Sequence, residues 1–436
     1  MTHHTIRLLL GTSLICAGAL SAHAPALAAG FQVREQSAEG LGRAYSGEAV
    51  AAGTAAGLWF NPAQAARLDT QVTAGVSGIL LSADLEDAGS SLTFPNGAVA
   101  PVGGPAGEDP VDFTLVPYGA AVWRLNDQWA VGGSFNAPFG LVVDYGEDYF
   151  GRFDSTESEL VTIDVSGTVA YAPTPSTSIG ASVHLQYVEA DLTTALPDPL
   201  GRPGQGSTVL EGNNYALGWS VGVVQDVGTR LSLAASYRSE VEHEVDGSVI
   251  TTGLQAPLDA ANGRQVASTS ITLPDSARLA AAFQASDTVR ITAQAEWVGW
   301  SDFESLDVLL EDSGVVQSTP FDYRSRTNYG VGVDWRASPA LTLRAGVSAD
   351  PTPTRDGERS TRVPDADRTW FTVGAGYDFG ENTTANLGFA YIDADGVEVS
   401  TDSVAFAGTP LATGIATRGE LSASAVVGAV SLTRRF

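Results

Sequence analysis

Apolar and polar residues alternate with a period of two along most of this chain, and beyond the first thirty residues no apolar run is long enough for a membrane-spanning helix. Val289, Ile291, Ala293, Ala295 and Trp297 fall on one face of an extended segment, with Arg290, Thr292, Gln294 and Glu296 on the other. Leu341, Leu343, Ala345 and Val347 oppose Thr342, Arg344, Gly346 and Ser348. Tyr329, Val331, Val333 and Trp335 oppose Asn328, Gly330, Gly332 and Asp334, and Val161, Ile163 and Val165 oppose Thr162, Asp164 and Ser166. Such segments form strands with one apolar and one polar face. Fourteen are expected, centred near residues 76, 118, 135, 165, 184, 219, 234, 278, 293, 331, 344, 373, 388 and 428.

The connections decide how these strands assemble. Six are short, at 124–128, 173–178, 226–230, 285–288, 336–340 and 379–383. Seven are long and rich in Gly, Pro and acids, at about 85–111, 144–158, 192–210, 242–270, 301–324, 351–366 and 394–418. Short and long connections alternate. An even strand number, with turns at one end and loops at the other, describes an all-β, 14-stranded antiparallel transmembrane β-barrel of a Gram-negative outer membrane. An open edge in hydrocarbon would leave backbone groups unpaired, so the sheet is expected to close. A soluble sandwich or solenoid would account for the strands but not for the alternating connections.

Two further features agree. Trp123, Trp129, Trp219, Trp297, Trp335, Tyr171, Tyr187, Tyr237 and Tyr377 sit near strand ends, where amphipathic rings suit the membrane boundary. The chain ends on Phe436, with Leu432, Val430 and Val426 on one face, which resembles the signal that barrel-assembly machinery reads. Arg434 departs from that pattern.

Residues 1–28 read as an export signal. Arg7 precedes an apolar run from Leu8 to about Leu20, and Ala26-Leu27-Ala28 offers small residues for cleavage. The run is shorter than a membrane anchor needs. Cleavage there removes Cys16, the sole cysteine, and with it any disulfide or thiol chemistry. The whole chain carries 50 acidic residues against 23 basic ones, and every basic one is Arg. Nucleic-acid binding needs basic patches and is not expected, and chemistry on a lysine is excluded.

Residues 29–69 lack alternation and are assigned to a helical plug, or hatch, in the lumen, with residues 70–436 as the barrel. A fourteen-stranded wall encloses more space than its own side chains fill. Asn61-Pro62-Ala63 reads as a helix start, with Asn61 as cap and Pro62 in the first helical position. The glycines around Gly40-Leu41-Gly42-Arg43 follow no strand and precede no Gly-Lys-Ser, which excludes a phosphate loop.

Ala29-Gly30-Phe31-Gln32, Gly40-Leu41-Gly42-Arg43-Ala44-Tyr45-Ser46-Gly47 and Asn61-Pro62-Ala63 resemble the plug of the FadL/TodX-type transporters of long-chain fatty acids and hydrocarbons. The resemblance extends through Pro138-Phe139-Gly140-Leu141, Thr162-Ile163-Asp164-Val165-Ser166, Leu273-Pro274-Asp275-Ser276 and Val363-Pro364-Asp365 with Asp367-Arg368-Thr369-Trp370. It implies passive uptake of hydrophobic molecules, capture at external loops, a lumenal pocket near Phe31, and sideways release at a kink of the third strand. The residues supply their own reason for the kink. The third strand contains Asn136-Ala137-Pro138-Phe139-Gly140, where Pro138 cannot donate a ladder hydrogen bond and Gly140 weakens the strand. The alternative is a benign bulge or strand end.

By the same resemblance, capture falls between the third and fourth external loops, which here carry Leu196, Leu200, Val249, Ile250, Leu254 and Leu258. Exposed apolar residues mark either a capture surface or ordinary loop packing. A fatty acid needs a cation for its carboxylate. Arg278, Arg290 and Arg344 are lumen-phased candidates, and the alternative is that each pairs with a wall or plug carboxylate. Glu189 stands where the fatty acid members would carry a base, so neutral hydrocarbons and aromatic compounds remain open as substrates, as does a general diffusion porin. His184 and His243 are too few for a His-rich metal site. A Ser-His hydrolase on lumen-phased His184 has no partner identifiable from spacing. No enzyme activity and no cofactor are expected. The expected partners are outer-membrane lipid and lipopolysaccharide, bridged by cations on acidic loops, and the chain is expected to be a monomer.

Overall fold

A computed structural model describes residues 30–436 apart from 112 and 312; the expected export signal at 1–28 and Ala29 lie outside the described residues. Fourteen antiparallel strands close into a barrel. They are β1 (Gln71–Asp87), β2 (Thr114–Arg124), β3 (Trp129–Asn136, resuming at Gly140–Asp144), β4 (Glu157–Thr174), β5 (Thr177–Pro197), β6 (Gln205–Val227) and β7 (Leu231–Arg238 and Val241–Thr252). The circuit continues with β8 (Gly263–Leu273 and Ser276–Gln284), β9 (Val289–Val298), β10 (Arg326–Arg336), β11 (Leu341–Asp350), β12 (Arg368–Phe379), β13 (Thr383–Ala394 and Val397–Ala405) and β14 (Thr413–Arg435). Closure is made by β1 against β14, in register from Gln71 opposite Arg435 to Asp87 opposite Gly419.

Two aromatic girdles bound the membrane band. Trp129 packs on Tyr171 at the turn end, with Trp123, Trp335 and Tyr377 exposed at the same level. Tyr187 on Tyr215 and Trp219 on Tyr237 mark the loop end. Between them Val72, Leu80, Val165, Val183, Leu185, Val331 and Leu387 are exposed, as a lipid-facing surface requires.

Above the upper girdle the polarity of the wall inverts. Along β5 the outward residues Ile179, Val183 and Leu185 give way to Glu189 and Asp191, while the inward Ser182, His184 and Gln186 give way to Val188, Ala190 and Leu192. β1 does the same: inward Gln71, Thr73 and Ser77 are followed by Ile79, Leu81 and Leu85, and outward Leu80 by Asp84 and Glu86. The upper barrel is thus built like a soluble one, polar outside and apolar inside, and the lower barrel like a membrane one.

This inversion corrects the assignment of loops. Much of 192–210 and 242–270 is strand, because β5 runs to Pro197, β6 begins at Gln205, and β7 and β8 extend through Val241–Thr252 and Gly263–Leu273. Residues 394–418 hold Val397–Ala405 and the start of β14, and 301–324 hold a hairpin pairing Ser305–Leu310 with Val315–Pro320. These stretches look like loops because their outward faces are acidic.

Residues 30–68 are almost entirely buried within the barrel as short turns: α1 (Ala38–Leu41), α2 (Glu48–Ala51) and two 3₁₀ turns, Ala55–Trp59 and Pro62–Arg67. Ser37 caps α1 by accepting from Gly40 N–H, and Asn61 caps the last turn by accepting from Ala63 N–H. Asn61-Pro62-Ala63 therefore opens a 3₁₀ turn instead of an α-helix. The wall admits this segment where it lacks side chains. A Cβ on Gly374 would meet the Cα of Gly42 at 2.7 Å, and one on Gly180 would meet the backbone of Pro62 and Ala63 at 2.5 Å.

Candidate functional site

The lower lumen is sealed by charge. Asp334, on the inward face of β10, accepts from Arg43 at 3.1 Å and Arg290 at 2.6 Å, and Arg344 approaches it to 3.4 Å. Arg43 is completely buried and also binds Glu39 at 3.2 Å and Glu48 at 2.9 Å. Arg344 adds Asn386 at 2.9 Å, and Arg278 pairs with Glu296 across β8 and β9. All three lumen-phased arginines thus lie beside carboxylates. Buried charges persist only when paired and hydrogen-bonded in this way, so the network ties the N-terminal segment to β9–β11.

The upper lumen is apolar and centred on Phe31. Its ring meets Trp300 at 4.7 Å, Phe303 at 5.4 Å and Phe139 at 6.1 Å between centroids. Leu160, Val188, Val245, Ile271, Leu273 and Tyr323 belong to the same cluster. Gly30 turns the chain into this cage with φ +68°, and a Cβ there would meet the Trp300 ring at 2.8 Å. Two apolar cavities adjoin the cluster. One, with about 20 Å³ of free space, is lined by Ala190, Leu192, Leu210, Val245, Ala267 and Ile271, with Glu211 at its edge. The other, with about 10 Å³ of free space, lies between Leu81, Leu85, Val111, Val143, Pro364 and Ala423.

The wall is interrupted where the two halves meet. Pairing of β2 with β3 ends at Gly119 opposite Phe135, so Thr114–Tyr118 have β1 as partner but not β3. Pairing of β3 with β4 stops at Asn136 opposite Asp164 and resumes at Gly140 opposite Val161. Ala137, Pro138 and Phe139 turn inward instead and bind the N-terminal segment. Val33 donates to Pro138 O at 2.8 Å, Gln36 Nε2 to Ala137 O at 2.6 Å, and Gln32 bridges Phe139. Thr162 Oγ1 takes up the freed Phe139 N–H at 2.8 Å.

A cap closes the top. The connection between β11 and β12 folds into the barrel, with Arg359, Thr361, Val363 and Asp365 buried. Asp365 accepts from Gly30 N–H at 2.9 Å and Thr352 Oγ1 at 2.5 Å, and burial raises its carboxyl above the ordinary aspartate value. Arg362 reaches Ser158 Oγ and Thr194 Oγ1.

The expected capture residues are scattered. Leu196 shares the inward face of the β5–β6–β7 sheet with Leu192, Leu210 and Val249, and Ile250 lies on the opposite face. Leu254 is buried over Gly206, Leu258 is half-buried, and Leu200 is exposed. Sequence reasoning missed Trp300, Phe303, Phe321 and Tyr323. Three aromatic residues in one supposedly polar loop, with Trp300 just before it, were the available signal.

His184 has partners that invite a hydrolase reading: Nε2 lies 3.0 Å from Ser220 Oγ and Nδ1 3.2 Å from Asp164. Arg238 also donates to that Nδ1 at 3.1 Å. Asp164 and the Arg238 guanidinium thus share one ring nitrogen, and the cation sits beside the imidazole.

The family described as "Outer membrane protein transport protein (OMPP1/FadL/TodX)" matches residues 19–436. Outer membrane protein P1 of Haemophilus influenzae is 28% identical over 421 residues, covering 87% of this chain and 89% of that protein. The long-chain fatty acid transport protein of Escherichia coli K12 is 24% identical over 411 residues, covering 86% and 90%. Among solved structures, a Pseudomonas aeruginosa FadL homologue superposes with a TM-score of 0.82 at 23% identity, covering 94% of this chain and all of that one. The Pseudomonas putida toluene transporter TodX gives 0.64 at 18%, covering 88% and 94%. These two likenesses concern the fold.

Proposed function

The chain belongs to the OMPP1/FadL/TodX family of outer membrane transport proteins, and from that premise we propose that it carries hydrophobic molecules passively into the outer membrane from outside the cell, releasing them sideways through the wall. The observation that carries this reading is the stacking of an apolar upper lumen on a charged, plugged lower lumen, with the β2–β3 interruption at their junction. A buried CH₂ group is worth about 0.8 kcal/mol. A long apolar ligand would forfeit that stabilisation at every step past Arg43, Glu48 and Asp334, whereas a lateral exit passes it from one apolar surface to another.

In this reading the N-terminal segment 29–69 is a hatch held by Gly42, Arg43 and Asn61-Pro62-Ala63 within the barrel of residues 70–436. Phe31 is the floor of the pocket, and Asn136, Ala137, Pro138, Phe139 and Gly140 form the gate. Leu200 and Leu258 offer first contact at the rim, and the inward Leu196 and buried Leu254 follow. The acidic outer face of the upper barrel meets lipopolysaccharide, and the chain works as a monomer. A general diffusion porin is disfavoured because residues 30–68 fill the bore. The Escherichia coli relative is named for long-chain fatty acids and the Pseudomonas putida neighbour for toluene, so both ligand types enter the test. Cells lacking and carrying the protein are given labelled oleate and toluene. Uptake of at least one is expected to rise with the protein and to fall about tenfold with Ala137→Arg, while the barrel still folds. Equal uptake with and without the protein overturns the transport reading, and unimpaired uptake by Ala137→Arg overturns the gate.

A further inference from the structure

We infer that Gln36 is a positioning residue for sideways release: its side-chain amide holds the kinked part of β3 inward, and with Tyr118 of β2 it lets one turn of the N-terminal segment set both edges of the interruption. The inference rests on the transport reading above. The barrel ladder leaves Ala137 without a strand partner, and one side chain takes that place. Gln36 Oε1 accepts from the Ala137 N–H at 3.3 Å, and Gln36 Nε2 donates to the Ala137 carbonyl at 2.6 Å. A primary amide thus offers Ala137 the acceptor and donor that a paired strand residue would offer. Two further bonds orient the amide. Oε1 accepts from Asn136 Nδ2 at 3.1 Å, and Nε2 also donates to the Val33 carbonyl at 3.4 Å. Gln36 is completely buried, so backbone groups freed here have no water to turn to and leaving them unpaired is costly.

The opposite edge is fastened from the same turn. Ala38, two residues on, donates its backbone N–H to Tyr118 Oη at 2.6 Å. Tyr118 is the first β2 residue beyond the last β2–β3 pair, Gly119 with Phe135. Continuing that register would set Asn136 opposite Tyr118 and Ala137 opposite Pro117. Neither Pro117 nor Pro138 has an N–H to give, so the two edges cannot zip together by an ordinary ladder. The prolines keep the edges from joining, and the turn from Val33 to Ala38 holds each edge in place. Ser77 Oγ, donating to the Glu35 carbonyl at 2.9 Å, ties that turn to β1 as well. Without the Gln36 amide, Ala137 would lose both of these partners, and Ala137-Pro138-Phe139 would stray across the opening.

The test uses Gln36→Met, which keeps the length and removes both bonds, and Gln36→Glu, which keeps the acceptor but sets an oxygen against the Ala137 carbonyl. Uptake of labelled oleate and toluene by cells is measured beside equilibrium binding and hydrogen exchange of the purified full-length protein in a non-ionic detergent. Heat-modifiable migration first confirms that each barrel is folded. Gln36→Met is expected to speed exchange at Ala137 about tenfold and to lower the maximal uptake rate about fivefold, with half-saturation and binding within about twofold. Gln36→Glu should also slow uptake while protecting the Ala137 N–H better than Gln36→Met. Tyr118→Phe, which deletes one hydroxyl and leaves Gln36 in place, should slow uptake about twofold with binding again retained; it carries the test if the Gln36 variants do not fold. Unchanged exchange at Ala137 in Gln36→Met overturns the clasp, and an unchanged maximal rate overturns its part in release. Parallel loss of binding and uptake makes Gln36 a purely structural residue and overturns the inference as well. If cells with the wild-type protein take up neither compound faster than cells without it, the transport reading fails and the part in release fails with it, while exchange at Ala137 still decides whether the clasp exists.

Discussion

Gly140 donates its backbone N–H to the carbonyl of Phe31 at 2.9 Å, so the strand that breaks the wall and the segment buried inside the barrel share a hydrogen bond. With the Val33 bond to Pro138 two residues away, the inward kink of β3 pairs with the N-terminal segment as a strand would pair with its neighbour. Pro138 takes β3 out of the barrel ladder, and residues 31–33 satisfy part of the backbone the break sets free. Phe31 is thus joined through the backbone to the kink beside the gap.

Phe31→Ala is expected to loosen this junction. The ring is 2% exposed and touches Trp300, Phe303 and Phe139. Losing such contacts costs about 3–5 kcal/mol in a packed core. Hydrogen exchange at Val33 and Gly140 should accelerate at least tenfold while amides in β11 and β12 stay protected. Unchanged exchange at Gly140 would show that the kink is held without Phe31.

Asp334→Asn tests the seal of the lower lumen. One carboxylate there serves Arg43, Arg290 and Arg344, and removing one partner from a buried ion network costs about 3–5 kcal/mol. The expected result is a folded barrel with a displaced plug, seen as raised single-channel conductance in planar bilayers. Conductance equal to wild type would mean that this network does not hold the plug.

The membrane band and turns were legible in the sequence because lipid on one side and water on the other force a two-residue period. The six short turns fall within a few residues of the expected positions. The upper barrel was not legible in the same way. Its period is also two, but the outward Glu189 and Asp191 and the inward Val188 and Ala190 exchange roles, so a search for apolar-outward strands ends at the girdle. Arg278, Arg290 and Arg344 were recognisable as lumen-facing from phase alone. Their specific pairings were not, because Arg290 meets Asp334 from 44 residues away and the plug residue Arg43 reaches the same carboxylate from 291 residues away.

The cap should respond to pH through Asp365. Burial raises this carboxyl above the ordinary aspartate value in the docked loop, so the docked state holds a proton that the released state gives up. Docking is then strongest below the ordinary value and weakens as pH rises through the raised one. Exchange at Thr352 and Thr354, corrected for intrinsic rates, is expected to show greater opening at pH 7 than at pH 4. Asp365→Asn should flatten that dependence. A slope that survives the substitution would assign the titration to another group.

The cavity beside the gap offers a test of route that spares both the plug and the kink. Ala423 faces a small apolar gap of about 10 Å³ shared with Leu81, Val111 and Val143, and Val143 belongs to the resumed part of β3. A ligand moving from the Phe31 cage to the β2–β3 interruption would pass this space. An indole exceeds the free space there, so Ala423→Trp overpacks this face at about 1–3 kcal/mol, and retained folding is checked first by heat-modifiable migration of the barrel. Uptake of the preferred ligand is expected to fall severalfold with equilibrium binding in the Phe31 chamber retained, because passage is obstructed beyond the binding site. Loss of binding along with uptake would place this cavity inside the pocket itself, and full retention of both would put the path elsewhere in the wall.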